Sequence, residues 1–126
     1  MDNLGKSVLY FFEKTIHKTL YELPEDFLNR IDNVAFLVED WPSPVQMNSL
    51  NMKNGLLFGL YQGVPLTKRT SQYSSLPDKI TIFAGPLIMV SQSVDDLKLR
   101  INDTLYHEIG HFFGLNDFQI KSAQRA

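Results

Sequence analysis

Two of the three histidines in the chain stand four residues apart, in His107-Glu108-Ile109-Gly110-His111. On an α-helix, positions four apart differ by about 40° in azimuth and about 6 Å along the axis. Two imidazoles so placed converge on one ion. Glu108 points off the same broad face, within reach of a metal-bound water but poorly placed as a third ligand. The chemistry implied is two nitrogen ligands and a general base. A shuffled chain of this composition produces the five-residue pattern in roughly 0.3% of cases, so the residues that follow must narrow the choice. In a continued helix Asp117 would lie on the far side from the histidines. Gly114 can stop the helix, because glycine takes the left-handed conformation at a C′ position without steric cost. A reversal there brings Asp117 back as an oxygen ligand. Two nitrogens and one oxygen leave a fourth position for water, the layout of a catalytic zinc.

Those ligands need a helix to carry them. Ser93-Val94-Asp95-Asp96 has a capping pattern, with Ser93 as N-cap and Asp96 reaching back. From there a helix runs to about Phe113. Leu97, Ile101, Leu105, Ile109 and Phe112 form its core stripe. Arg100, Thr104, His107, Glu108 and His111 fall around another side. Asp103, one turn before His107, reads as a solvated helix acid rather than a partner of the imidazole.

The elements before it read as follows. Leu4 to Leu23 is a helix with Val8, Phe12, Ile16 and Leu20 at four-residue spacing, ended by Pro24. His17, beside that stripe, reads as a surface histidine. Pro24-Glu25-Asp26 starts a short helical turn, with proline at its first helical position. Val34 to Val38 is a first strand, apolar enough to be buried on both faces. Trp41 to Gly55 reads as loop, and Trp41 as core or cover. Leu56 to Tyr61 is a second strand, in which Gly59 marks the close approach of another backbone. Gln62 to Asp78 is a long polar loop whose Lys68, Arg69 and Tyr73 read as solvated residues. Lys79 to Phe83 is a third strand, stopped by Gly85-Pro86. Phe118 to Ala126 is a short tail.

Composition bounds the class. The 126 residues, 44% hydrophobic and 21% charged, fit one globular domain spanning 1–126. A net charge of −2 gives no basic surplus for nucleic acid. There is no cysteine, so no disulfide and no thiolate metal site. No apolar run is long enough to span a membrane, and the N-terminus lacks the pattern of a signal peptide. The expected compartment is the cytoplasm.

The chain resembles the minimal zincin-like metallopeptidases, short bacterial proteins with the pattern H-E-x-x-H-x-x-G-x-x-D. His107, Glu108, His111, Gly114 and Asp117 meet every fixed position. The resemblance extends back through Lys79-Ile80-Thr81-Ile82-Phe83, through Gly59-Leu60-Tyr61-Gln62-Gly63-Val64-Pro65-Leu66 and Val38-Glu39-Asp40, to Leu20-Tyr21-Glu22-Leu23-Pro24. It implies an α+β, zincin-like domain. A small mixed β-sheet of about three strands would pack against an N-terminal helix and a C-terminal metal-binding helix. It also implies one Zn2+ per chain on His107, His111 and Asp117, with Glu108 as catalytic base and a peptide or protein as substrate. Metzincins share the glycine but end on histidine and carry a downstream methionine turn, for which this chain has no room. Small zinc ribonucleases use a third histidine and a basic groove, which Asp117 and the negative charge oppose. A zinc-stabilised module that binds peptide or protein with little turnover is the alternative function.

Overall fold

A computed structural model describes residues 5–50, 55–65, 77–116, 118–119 and 122. The chain opens with helix α1, Lys6–Tyr21, followed by the short helix α2, Glu25–Arg30. The four-residue stripe of α1 does what its spacing implies. Phe12 and Ile16 are buried, and Val8 and Leu20 pack against the same core. His17 is exposed. Pro24 is the N-cap of α2 rather than its first helical residue, with φ −55° and ψ 147°. The shift of one residue has no cost, because neither position calls on the backbone N–H that proline lacks.

Strand β1, Val34–Glu39, pairs in parallel with strand β3, Asp78–Phe83. Strand β2, Gly59–Gln62, pairs antiparallel with the other side of β3. The order is β1-β3-β2, a three-stranded mixed sheet. Together with its helices it forms the α+β architecture expected from the sequence. β3 is central, and Ile80, Thr81, Ile82 and Phe83 are buried. Cross-strand partners share a face, so Phe36, Ile80 and Tyr61 line up, as do Val38, Ile82 and Gly59. That face meets the helices. β1 departs from the expectation of two buried faces: Leu37, opposite Thr81, is 38% exposed. Its hydrophobic run is longer than its buried face.

Two short helices were not expected. The stretch read as loop from Trp41 to Gly55 contains α3, Pro44–Ser49. Its signal lay in Ser43-Pro44-Val45-Gln46. The Ser43 hydroxyl accepts from the Gln46 backbone N–H at 3.1 Å, and the Gln46 side chain accepts from the Ser43 N–H at 2.7 Å. Proline occupies the first helical position. The second is α4, Ala84–Val90, where a simple stop at Gly85-Pro86 was expected. Pro86 sits in the first turn, where no backbone donor is required. The Trp41 indole lies over Gly85: a Cβ there would come within 2.4 Å of Nε1. Trp41 is thus a cover, half exposed, and the carbonyl of its neighbour Asp40 accepts from the Gly85 N–H at 2.7 Å.

Helix α5, Val94–Phe112, closes the core. Ile101, Leu105, Ile109 and Phe112 are buried, and Leu97 packs at the margin. It contacts α1, β2, β3 and α4. Against α1, the buried Thr19 hydroxyl donates to the Asn102 side-chain oxygen. Ser93 caps α5, accepting from the Asp96 N–H at 3.0 Å. The Asp96 carboxylate accepts from the Gln92 N–H, one residue earlier than the reciprocal pattern predicts. No helix of the described residues is long and apolar enough to cross a membrane.

Candidate metal centre

The last two turns of α5 bring His107, Glu108 and His111 together. One ligand atom from each lies within 4.8 Å of the other two. The imidazole Nε2 atoms of His107 and His111 are 3.1 Å apart, with ring centroids at 4.7 Å and planes at 83°. Two nitrogens bound at 2.0–2.1 Å to one tetrahedral ion stand about 3.3 Å from each other. The observed spacing therefore fits a single ion between the rings. Glu108 is buried, 7% exposed, while both histidines are half-buried.

The helix ends where the motif's glycine predicts. Gly114 has φ 87°, its N–H donates to the His111 carbonyl at 2.9 Å, and the Leu115 N–H donates to the Gly110 carbonyl at 3.0 Å. This paired arrangement is a Schellman stop, with glycine in the left-handed position. It has a chemical consequence that the side chains alone did not advertise. The reversal aims the Leu115 carbonyl at His111, whose Nδ1 lies 3.1 Å away. A carbonyl only accepts, so Nδ1 carries a proton and Nε2 is the ring nitrogen turned towards His107. Immediately beyond, Asn116 and Gln119 exchange reciprocal hydrogen bonds of 2.8 Å each, side chain to backbone. Asp117, the expected third ligand, lies outside the described residues, as do Lys68, Arg69 and Tyr73.

Gly59 brings α5 against β2. A Cβ at that position would lie 2.6 Å from Thr104 Cγ2, 3.1 Å from Glu108 Cγ and 3.3 Å from the Thr81 carbonyl. Only a residue without a side chain lets the helix face carrying Thr104 and Glu108 settle on the strand. Where another backbone was expected at Gly59, the two nearest groups are side chains of the motif helix, and the Thr81 carbonyl of the paired strand comes third. Next to it, the Tyr61 hydroxyl donates to the buried Asp78 carboxylate at 2.8 Å, and the Tyr61 ring meets Phe112 edge-on. Neither Asp78 nor the Leu115 carbonyl stood out in the sequence. The first read as the end of a loop, and the second is a backbone group with no side-chain signature.

Two open hollows flank the cluster, about 920 and 690 Å³ in volume. They share Leu57, Gly59, His107 and Glu108 and so form one groove across the cluster. One arm adds Phe58, Asp103 and Tyr106, and the other adds Leu60, Tyr61, His111 and Leu115. Asp103 is exposed, as a solvated helix acid should be.

The profile of the zincin-like metallopeptidases matches residues 31–126. A conserved hypothetical protein from Thermus thermophilus has a similar structure, with a TM-score of 0.53 and 21% sequence identity over 91% of this chain and 96% of that one. At that identity the likeness speaks for the fold. No curated protein matches the chain.

Proposed function

Because this chain belongs to the zincin-like metallopeptidase family, we propose that it is a zinc-dependent endopeptidase. In this reading His107, His111 and Asp117 hold one Zn2+ per chain and Glu108 is the general base. The observation that carries the reading is the 3.1 Å approach of two imidazole nitrogens beside a buried carboxylate, all opening onto a groove. The donor set suits zinc: nitrogen from two imidazoles and oxygen from a carboxylate, with no thiolate in the chain. Held there, the ion supplies Lewis acidity, which lowers the pKa of a water towards about 7 and polarises a carbonyl.

The remaining work falls to side chains and backbone. Glu108 takes a proton from the attacking water on its carboxylate and returns it to the departing amine nitrogen, so that it ends as it began. Its burial against Gly59 keeps it from swinging into bulk water. The Leu115 carbonyl holds the His111 ring in the tautomer that can ligate. β2 lies at the edge of the sheet among the described residues. An extended peptide pairing with it by backbone hydrogen bonds would pass over His107 and Glu108.

The test is Glu108→Gln. It should retain zinc at the wild-type stoichiometry and lose chelator-sensitive cleavage of casein or a peptide library by at least about a hundredfold. Wild-type turnover in that variant would remove Glu108 as the base. Zinc binding without cleavage by the wild-type protein would point instead to a peptide-binding module.

A further inference from the structure

The two arms of the groove differ in chemistry. Around the shared His107 and Glu108, the arm towards Tyr61 is lined by Leu50, Leu60, Pro65 and Leu115 besides His111 and Asn116, with no carboxylate of its own among the described residues. The arm towards Phe58 carries Asp103 on its wall. Asp103 is exposed, and no ion pair or hydrogen bond engages it among the described residues. It sits three positions before Tyr106 on α5, so the carboxylate and the phenol ring are neighbours on one helix surface. Tyr106 is 38% exposed, and Leu56 and Phe58 complete the wall.

We propose that this arm is a specificity subsite for a cationic side chain, lysine or arginine, next to the bond that is cut. Rings and leucines receive the methylene stem, and Asp103 receives the charged head. The opposite arm, apolar over Leu50, Leu60, Pro65 and Leu115, takes an apolar side chain on the other flank of the same bond. The inference rests on the hydrolytic reading for the word "cut". The side-chain preference itself is a binding property and can be read without turnover.

Zinc-anchored probes fix the register. Short peptide hydroxamates would be made in two series, N-acyl aminoacyl and succinyl, so that the residue beside the hydroxamate enters the groove from either side. Each series carries lysine or norleucine at that residue, and affinities are measured by calorimetry on the zinc-loaded full chain. In one series the lysine compound should bind about fivefold tighter than the norleucine compound in the wild type, the size expected of one partly exposed ion pair. That ratio should fall to about one in Asp103→Asn and invert in Asp103→Lys, by the same ion-pair reasoning. Equal affinities in both series, no binding of either compound, or a lysine preference that survives Asp103→Asn would overturn the proposal. Failure of the hydrolytic reading looks different: lysine selectivity stays intact while no peptide is cleaved.

Discussion

At the scale of single residues, two glycines hold the site in shape, for different reasons. Gly114 is needed for its backbone: at φ 87° any other residue is strained by about 1–2 kcal/mol. Gly114→Ala should lower stability by about that amount and weaken zinc binding about tenfold, because the Leu115 carbonyl would shift away from His111. Chelator competition and a thermal melt would check both effects, and a loss of stability with unchanged zinc affinity would break the link to Leu115. Gly59 is needed for its missing side chain. Gly59→Ala drives a methyl into Thr104 Cγ2 and Glu108 Cγ and should cost about 1–3 kcal/mol. Thr104→Ser removes the nearer obstruction, so the double variant should recover most of that loss in urea denaturation. Both glycines were visible in the sequence, one in the metal motif and one inside a strand. Their partners were not. A backbone carbonyl leaves no trace in side-chain type, and the strand–helix contact joins residues far apart in the chain.

At the scale of elements, α5 was legible from its cap to its stop. Its apolar spacing, Ser93 and Gly114 all act as their types predict. Ser93→Ala should cost about 1 kcal/mol. Asp96 adds a pH dependence. The Gln92 backbone N–H and, next, the Arg100 side chain hold its carboxyl below the ordinary value of 3.8. A depressed folded pKa gives stability that is present above the unfolded value and is lost as pH falls through the folded one. The gap in stability between wild type and Asp96→Asn should therefore be full at about pH 6 and narrow below about pH 4, as read by urea melts at both pH values. α3 and α4 were less legible. Each is under two turns, too short for periodicity to show, and each begins beside prolines that in other settings mark loops. Only the Ser43–Gln46 capping pattern carried the information for α3. The start of β2 also fell later than expected: residues 56–58 look strand-like in composition, but the ladder begins at Gly59, preceded by the Phe58 carbonyl accepting from the Phe83 N–H at 2.9 Å.

At the scale of the whole molecule, the core and the site share one helix. Ile101, Leu105 and Ile109 anchor α5 among α1 and the sheet, while His107, Glu108 and His111 face the groove. Ile101→Ala or Leu105→Ala, each at a fully buried position, should cost about 2–5 kcal/mol and reduce zinc affinity only as far as the fold itself is lost. Conversely, an ion bound to the folded state alone stabilises it, by about 4 kcal/mol at a thousand times its Kd. Chelation should lower the melting temperature of the wild type and leave that of His107→Ala unchanged. The most direct measurement is zinc stoichiometry and affinity by metal analysis and chelator competition, on the wild type, His107→Ala, His111→Ala and Asp117→Ala. One zinc per wild-type chain is expected, with binding lost or weakened at least about a hundredfold in each variant. A wild-type chain that holds no zinc, or variants that hold it as tightly as the wild type, would contradict the proposed site.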